Sequence, residues 1–491
     1  MNLDVYLLLP LISLSTVILT LMMLIAFCRN LSLTCAFSSI GLMVTLLLIC
    51  AMAIDIQAAQ TASLVDALVT PLIIVDAYAL FFSGLMVFSS LCICLLSFNY
   101  HCARGEHQDE FYLLLLLATL GGVVLSQAAH FAMFILGLEL LGVSIYAMIS
   151  YPRAGRFSLE AALKYLILSG VSSAIILFGI ALLYAAFGTL SFAEMAVLQR
   201  ENSELDALYI LAGSAMLLSG LAFKLSLAPF HMWTPDVYEG APAPVTTLLA
   251  TVSKGAIFAV LFRFFLSVDN YQYETILDGL FLLAVASIIF GNLLALTQSS
   301  IKRMLAYSSI AHLGYLLVAF IAADSVGGRA LAIEASAIFL LAYFLTTIGA
   351  FGVVTVMSTE ASDHDVDRLD EYEGLFWRRP MLATVFSVML LSLAGIPLTA
   401  GFIGKFYIVV SGVDAELWSL LVIVVIGSGI GIFYYLRTIF AMTKRTMVTS
   451  VVHVPQTAGW TLAAVTLLLL VFGIYPTPVI EWVSRMAQAM T

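Results

Sequence analysis

Six lysines occur in 491 residues, and four of them interrupt long apolar runs. Lys164 stands in AALKYLIL, Lys224 in LAFKLSL, Lys254 in TVSKGAIF and Lys405 in GFIGKFYIV. An ammonium group at the centre of a bilayer costs at least about 2.5–3.5 kcal/mol on insertion scales. Random placement on a surface does not gather four there. Snorkelling, in which a long side chain returns its charge to the interface, suits Lys164, roughly one turn from the charges at Arg156 and Glu160. It does not suit Lys224, Lys254 or Lys405. Glu139, in MFILGLELLGVSIYAM, is the clearest carboxylate within an apolar run. Unpaired, it would have to be protonated or find a cation, and Lys224 is the expected partner. The chemistry open to such a set is proton movement. Low-dielectric surroundings disfavour the charged form of an amine, and a neighbouring carboxylate favours it. Moving the carboxylate therefore switches the amine between holding and releasing a proton. His231 and His312 extend the row if water joins them; the alternative for each is a structural histidine, hydrogen-bonded in the case of His231 to irregular backbone. His130, Asp76 and Glu334 lie near the ends of runs and are weaker candidates.

These side chains need elements to carry them across a bilayer. The chain is 62% apolar and only 10% charged, with a mean hydropathy of +1.09. An ordinary soluble enzyme is excluded, because soluble domains carry about 25% charged residues. Disorder is excluded because apolar surface is abundant. Apolar runs fall at roughly 4–27, 33–54, 74–98, 111–128, 130–150, 158–187, 206–230, 243–266, 275–297, 303–323, 330–357, 380–410, 416–442 and 458–484. They number about 14 at roughly 20 residues per span, and they are about twice the length of a membrane strand. The expected fold is an all-α polytopic membrane protein. The run starting near Val5 is too long for a cleaved signal, and Asp4 before it and Arg29 after it reverse a signal's charge order.

Basic residues set the expected orientation. The odd-numbered connections carry Arg29, Arg104, Arg153, Arg156, Lys302, Arg303, Arg368, Arg378, Arg379, Lys444 and Arg445, and the even ones only Arg200 and Arg329. The odd connections are expected in the cytoplasm and both termini in the periplasm, as in a bacterial inner membrane. Lys302 and Lys444, each beside an arginine, read as ordinary interfacial anchors, and Trp377-Arg378-Arg379 as another. The polar stretch from Ser358 to Arg379 reads as a solvated loop, with docking of a neighbouring subunit as the alternative.

Two runs are interrupted. The seventh reads LAFKLSLAPFHMWTPDVYEGAPAPV, and the twelfth LSLAGIPLTAGFIGKFYIV. Proline removes a backbone donor and clashes with the preceding turn, so both helices are expected to break. Broken backbone at membrane depth must lie inside protein or beside water. Runs 7 and 12 lie five apart, so runs 4–8 and 9–13 read as two repeats. Five is odd, which inverts the second. Paired breaks in inverted repeats mark a transport path. The expected division is residues 1–105, an N-terminal three-helix segment; 106–270, the first repeat; 271–445, the second; and 446–491, the last helix.

Net charge is −10, which leaves no basic face for nucleic acid. The six cysteines form no CxxC pair and read as packing residues, so no metal or redox centre is expected in this chain. The glycines of GSGIGIF sit within an apolar run with no preceding strand, so helix packing explains them better than a nucleotide loop.

The segments FKLSLAPFHMWTPDVYEGAPAPV, SSIKRMLAYSSIAHLGYLL and LSLAGIPLTAGFIGKFYI resemble those of the antiporter-like subunits of respiratory complex I, the proton-pumping NADH–quinone oxidoreductase. The resemblance runs over essentially the whole chain, most strongly over residues 70–440. It implies 14 helices with inverted repeats at helices 4–8 and 9–13. It further implies a Glu–Lys pair at Glu139 and Lys224, a central lysine at Lys254, a terminal group at Lys405, and His231 in the helix 7 break. Lys405 stands where M-type members usually carry glutamate, and the chain lacks the long C-terminal extension of L-type members. The implied function is proton translocation coupled to quinone reduction elsewhere in a complex. NAD chemistry, flavin, iron–sulfur clusters and quinone then belong to other subunits. The implied partners are other membrane-arm subunits, M-like and K-, J-, A- or H-like, together with the lipid bilayer. Related multisubunit cation/proton antiporters share many of these features and are the alternative.

Overall fold

The computed structural model of the chain describes residues 3–59, 67–104, 108–151, 156–201, 207–268, 272–325, 327–359, 365–445 and 454–490. Arg153, used above for orientation, lies outside them. Continuous apolar runs become helices because only a helix satisfies every backbone polar group within its own segment. Thirteen described helices are long and apolar enough to cross a membrane. Spans 1–6 are Leu9–Phe27, Leu31–Ile56, Ala77–Ala103, Asp109–Ser126, Phe131–Ser150 and Phe157–Phe187. Spans 7–11 are Ala207–Lys224, Ala243–Val268, Glu274–Leu296, Ile301–Ala322 and Arg329–Met357. Spans 13 and 14 are Trp418–Thr443 and Gln456–Ile474. Span 12 comes in two halves, Pro380–Ala394 and Ala400–Asp414, each too short to cross alone. The all-α polytopic fold expected from the sequence is therefore present, with both expected breaks.

Local chemistry sets several ends. Asp76 caps span 3 by accepting from the Ala79 amide at 2.7 Å, and Ser300 caps span 10 through the Arg303 amide at 3.2 Å. Gly395, at φ 83°, turns the chain out of the first half of span 12, a left-handed conformation that suits glycine. The last expected run, 458–484, is not one helix. Pro476 and Pro478 stop span 14 at Ile474, and a separate helix follows at Thr477–Ala489. It buries Val483, Met486 and Ala487 and packs Trp482 on Phe81 of span 3, with ring centroids 5.7 Å apart. A short hairpin (Ala67–Thr70 with Ile73–Val75), a helix at Phe192–Glu201 and a π-helical turn at Leu249–Ser253 were not foreseen.

Spans 8, 10 and 11 are wrapped by the others, whereas spans 1, 2, 6, 13 and 14 face outward over much of their length. Helices apolar on every side belong in such a centre. Gly427 of span 13 meets Ile288, Tyr315 and Asn292 closely, as expected of packing rather than of a nucleotide loop. All six cysteines are free thiols.

The loop before span 12 is not simply solvated. Its Asp365 is buried and accepts from Tyr100 and Arg104 at 2.8 and 3.1 Å, from Lys302 at 2.9 Å and from the Ala243 amide at 2.9 Å. Lys302 also donates to the carbonyls of Glu239 and Ala241 at 2.9 and 2.6 Å. Lys302 is thus no interfacial anchor: it is 1% exposed and ties the end of the broken seventh helix to this loop. Burial alone would raise the Asp365 carboxyl, but Lys302 and Arg104 outweigh it and hold the group below the usual carboxylate range. The exposed Trp377 donates to the Thr443 carbonyl and lies under Arg445, which fits an interfacial anchor.

Candidate functional site

Span 7 ends at Lys224, and the helix resumes at Trp233–Gly240. The intervening turn is pinned from outside. The Ala228 amide donates to Ser287 of span 9 at 2.9 Å, and Trp233 Nε1 donates to the Phe223 carbonyl at 3.0 Å. Lys224 is 4% exposed and sits at a helix C-terminus, where unpaired carbonyls favour a cation.

Its ammonium donates to Ser169 Oγ of span 6 at 2.6 Å, and that oxygen is 2.7 Å from Tyr146 Oη of span 5. Glu139 does not contact Lys224. Its Oε1 accepts from Ser173 Oγ at 2.6 Å, one turn along span 6 from Ser169. The expected Glu139–Lys224 ion pair is therefore replaced by two serines of one helix, each serving one of the two charges. Their side chains are short enough to stand between spans 5 and 7.

Lys254, 1% exposed, begins the helix after the π-helical turn. It donates to Ser309 of span 10 at 2.5 Å, and Ser309 lies 2.6 Å from Tyr343 Oη of span 11. The Lys254 ammonium is also 5.6 Å from the Tyr238 ring centroid. A small cavity bordered by Ser308, Ser309, Tyr343 and Thr347 adjoins this contact. A second, bordered by His312, Thr346 and Ser392, shares the Tyr343 wall with it. His312 is buried, with Nε2 3.4 Å from Tyr435 Oη, which in turn bonds Ser308. Lys405 closes the row. Its ammonium donates to the Ala394 carbonyl, at the end of the first half of span 12, at 3.0 Å and lies 5.3 Å from the Tyr315 centroid. Lys224 and Lys405 thus both sit at the carbonyl ends of broken helices.

His231 occupies the span 7 break, 6% exposed, with its ring centroid 6.4 Å from that of Tyr307. Among the described residues no hydrogen bond of good geometry reaches either ring nitrogen. The Pro229 backbone of the same break interacts with the ring, as expected of a histidine held by irregular backbone. Lys164 stands apart. It is half-exposed and paired with Glu160 and Asp236 at 2.8 and 2.9 Å, and Asp236 also holds Arg303. His130 caps span 5. No group of three or more His, Cys, Asp or Glu placed to hold a metal occurs among the described residues.

The lysine-centred reading overlooked Arg263 in LFRFFL, which pairs with Asp76 through two hydrogen bonds of 2.7 and 2.8 Å. The rule that picked out the lysines, a full charge inside an apolar run, would have found it. Ser169, Ser173, Ser309, Tyr146, Tyr343 and Tyr435 carry no such signal.

Residues 128–431 match the family described as NADH:quinone oxidoreductase/Mrp antiporter, TM. The chain belongs to this family. It is 48% identical over 421 residues to NADH-quinone oxidoreductase subunit N of Methylococcus capsulatus, across 86% of this chain and 84% of that one. A chain of respiratory complex I from Thermus thermophilus, in the structure with bound aureothin, is 31% identical with a TM-score of 0.80, covering 96% of this chain and 98% of that one. A chain of the Mrp complex from Dietzia sp. DQ12-45-1b shares the fold at a TM-score of 0.84 and 19% identity, over 100% of this chain and 98% of that one. The resemblance carried by the three quoted segments is borne out.

Proposed function

We propose that this chain is the N-type subunit in the membrane arm of a proton-translocating NADH–quinone oxidoreductase, and that it moves protons along its buried lysines. The observation that carries the reading is the shared aromatic surroundings of the row: Lys254 reaches Tyr343 through Ser309, His312 lies against both Tyr343 and Tyr315, and Lys405 lies over Tyr315, with Lys224 at the neighbouring break. Glu139 modulates Lys224; protons pass by way of His231 and Lys254 toward Lys405, which exchanges with one face. Lys164, with Asp236, stands at the opposite, charged end. NADH oxidation, flavin, iron–sulfur clusters and quinone chemistry belong to other subunits. The partners are M-like and K-, J-, A- or H-like subunits, the membrane is a bacterial inner membrane, and both termini face the periplasm. Residues 106–270 and 271–445 form the two inverted repeats.

The test is quinone-coupled proton pumping in membranes carrying Lys224→Ala or Glu139→Ala. Loss of pumping with the complex assembled is the expected result, and full pumping overturns the reading. The family description also covers Mrp antiporters, so a cation/proton antiporter is the second reading. Cation-dependent pH changes in vesicles, independent of NADH, favour it; copurification with flavin and iron–sulfur proteins counts against it.

A further inference from the structure

We infer that the hydroxyls of Ser169 and Tyr146 carry the proton to and from Lys224, and that Ser173 orients Glu139 for the same step. The inference rests on the relay reading above and names side chains that it left out. The Lys224 ammonium, Ser169 Oγ and Tyr146 Oη form an unbroken line with steps of 2.6 and 2.7 Å. Ser169 is 0% exposed and Tyr146 is half-buried, so the line leads from a closed interior to the outer side of span 5.

The space is kept free by one glycine. A Cβ added at Gly142, one turn before Tyr146 on span 5, would lie 3.0 Å from Tyr146 Oη and 3.9 Å from Lys224 Nζ. Any side chain there crowds the hydroxyl against the ammonium. The Tyr146 ring is fixed by edge-to-face packing on Tyr165, with centroids 5.2 Å apart. This is a positioned hydroxyl rather than a passing contact.

Hydrogen-bond directions decide what the line can do. An ammonium only donates, so Ser169 must accept from a charged Lys224 and is free to donate to Tyr146. A neutral amine has a lone pair, so Ser169 then donates to Lys224 and accepts from Tyr146. The line is satisfied in both states, with reversed polarity. On release, an N–H bond of Lys224 breaks as a new O–H bond forms on Ser169. The original Ser169 proton passes to Tyr146 Oη, and the Tyr146 proton passes to water. One proton leaves, and no electron is transferred. Uptake runs the same steps backwards and restores each hydroxyl. Ser173 donates to Glu139 from the same helix face, so any shift of span 6 alters Ser169 and Ser173 together.

The experiment uses the assembled complex in inverted membrane vesicles, with NADH oxidation and proton uptake measured side by side. Tyr146→Phe keeps the ring and deletes only the hydroxyl. Tyr146→Phe and Ser169→Ala should each lower proton uptake about tenfold or more, on the scale of a lost proton-transfer group. Ser169→Thr should restore it, which a packing role at this crowded position would not do. Lys224→Ala is the control. If Lys224→Ala stops pumping while Tyr146→Phe and Ser169→Ala pump normally, the hydroxyl line is wrong and the relay reading survives. If Lys224→Ala also pumps normally, the relay reading itself falls. Should Ser169→Ala fail to assemble, Tyr146→Phe decides.

Discussion

The pair Arg263–Asp76 tests the fold without reference to proton movement. It joins the far end of span 8 to the first turn of span 3 through hydrogen bonds of 2.7 and 2.8 Å. Arg263 also reaches the Ser126 carbonyl at 3.4 Å and covers the Tyr78 ring at 4.7 Å. Both side chains are buried, so removing one partner strands the other's charge, at a cost of about 3–5 kcal/mol. Asp76 has a second duty as the cap of span 3, worth about 1 kcal/mol. Asp76→Asn keeps an acceptor for the Ala79 amide and loses the charge, whereas Asp76→Ala loses both. The expected order of damage is therefore Asp76→Ala beyond Asp76→Asn, by about 1 kcal/mol. Arg263→Met strands the carboxylate in the opposite sense. The double variant Asp76→Asn/Arg263→Met leaves no buried charge and should recover most of the loss, because a buried pair replaced by neutral groups is often close to neutral overall. Thermal melting of the purified complex in mild detergent, with the amount of subunit in membranes, measures all four. The reasoning is refuted if each single variant costs under about 1 kcal/mol, or if the double loses the sum of the singles.

Lys254→Arg separates relay from scaffold: arginine keeps the charge but hardly deprotonates, so pumping should fall at least about tenfold in an assembled complex. Normal pumping by this variant would mean that the charge alone matters. Asp365 gives a pH signature. Its carboxyl is held below its ordinary value of 3.8, so its contribution to stability is complete above that value and is lost as pH falls through the lower folded one. Asp365→Asn should destabilise the purified complex at pH 7, and its deficit should shrink as pH falls below 3.8; an unchanging deficit down the pH series would show that Lys302 and Arg104 do not stabilise its charge.

How much of this was legible follows from what makes a residue anomalous. Lys224, Lys254 and Lys405 announce themselves because a full charge in an apolar run is costly. The breaks of spans 7 and 12 announce themselves through proline and glycine. A serine or tyrosine in the same run announces nothing. Ser144 and Ser387, for instance, donate to carbonyls four residues back at 2.7 Å and are satisfied within their own helices. Whether a serine instead faces a lysine depends on helix rotation and crossing, and a single run contains neither. Lys302 was misread for a related reason. Its place at the start of a run, beside Arg303, looks interfacial, and its burial depends on Asp365, more than sixty residues away. The π-helical turn before Lys254 has no residue pattern of its own.

The absence of a direct Glu139–Lys224 contact bears on how such a site can cycle. A carboxylate touching an ammonium in low dielectric holds it charged, and the pair then resists losing its proton. A hydroxyl donates to an amine as readily as it accepts from an ammonium, so it fits both states and opposes neither. Lys224 against Ser169 and Lys254 against Ser309 share this arrangement, each serine backed by a tyrosine hydroxyl within 2.7 Å. The charge of Glu139 acts at one helical turn's remove. On the proposed reading it biases Lys224 without fixing its protonation. A relay that must return to its starting state on every turnover needs that reversibility at each lysine, and a hydroxyl supplies it where a contact ion pair would not.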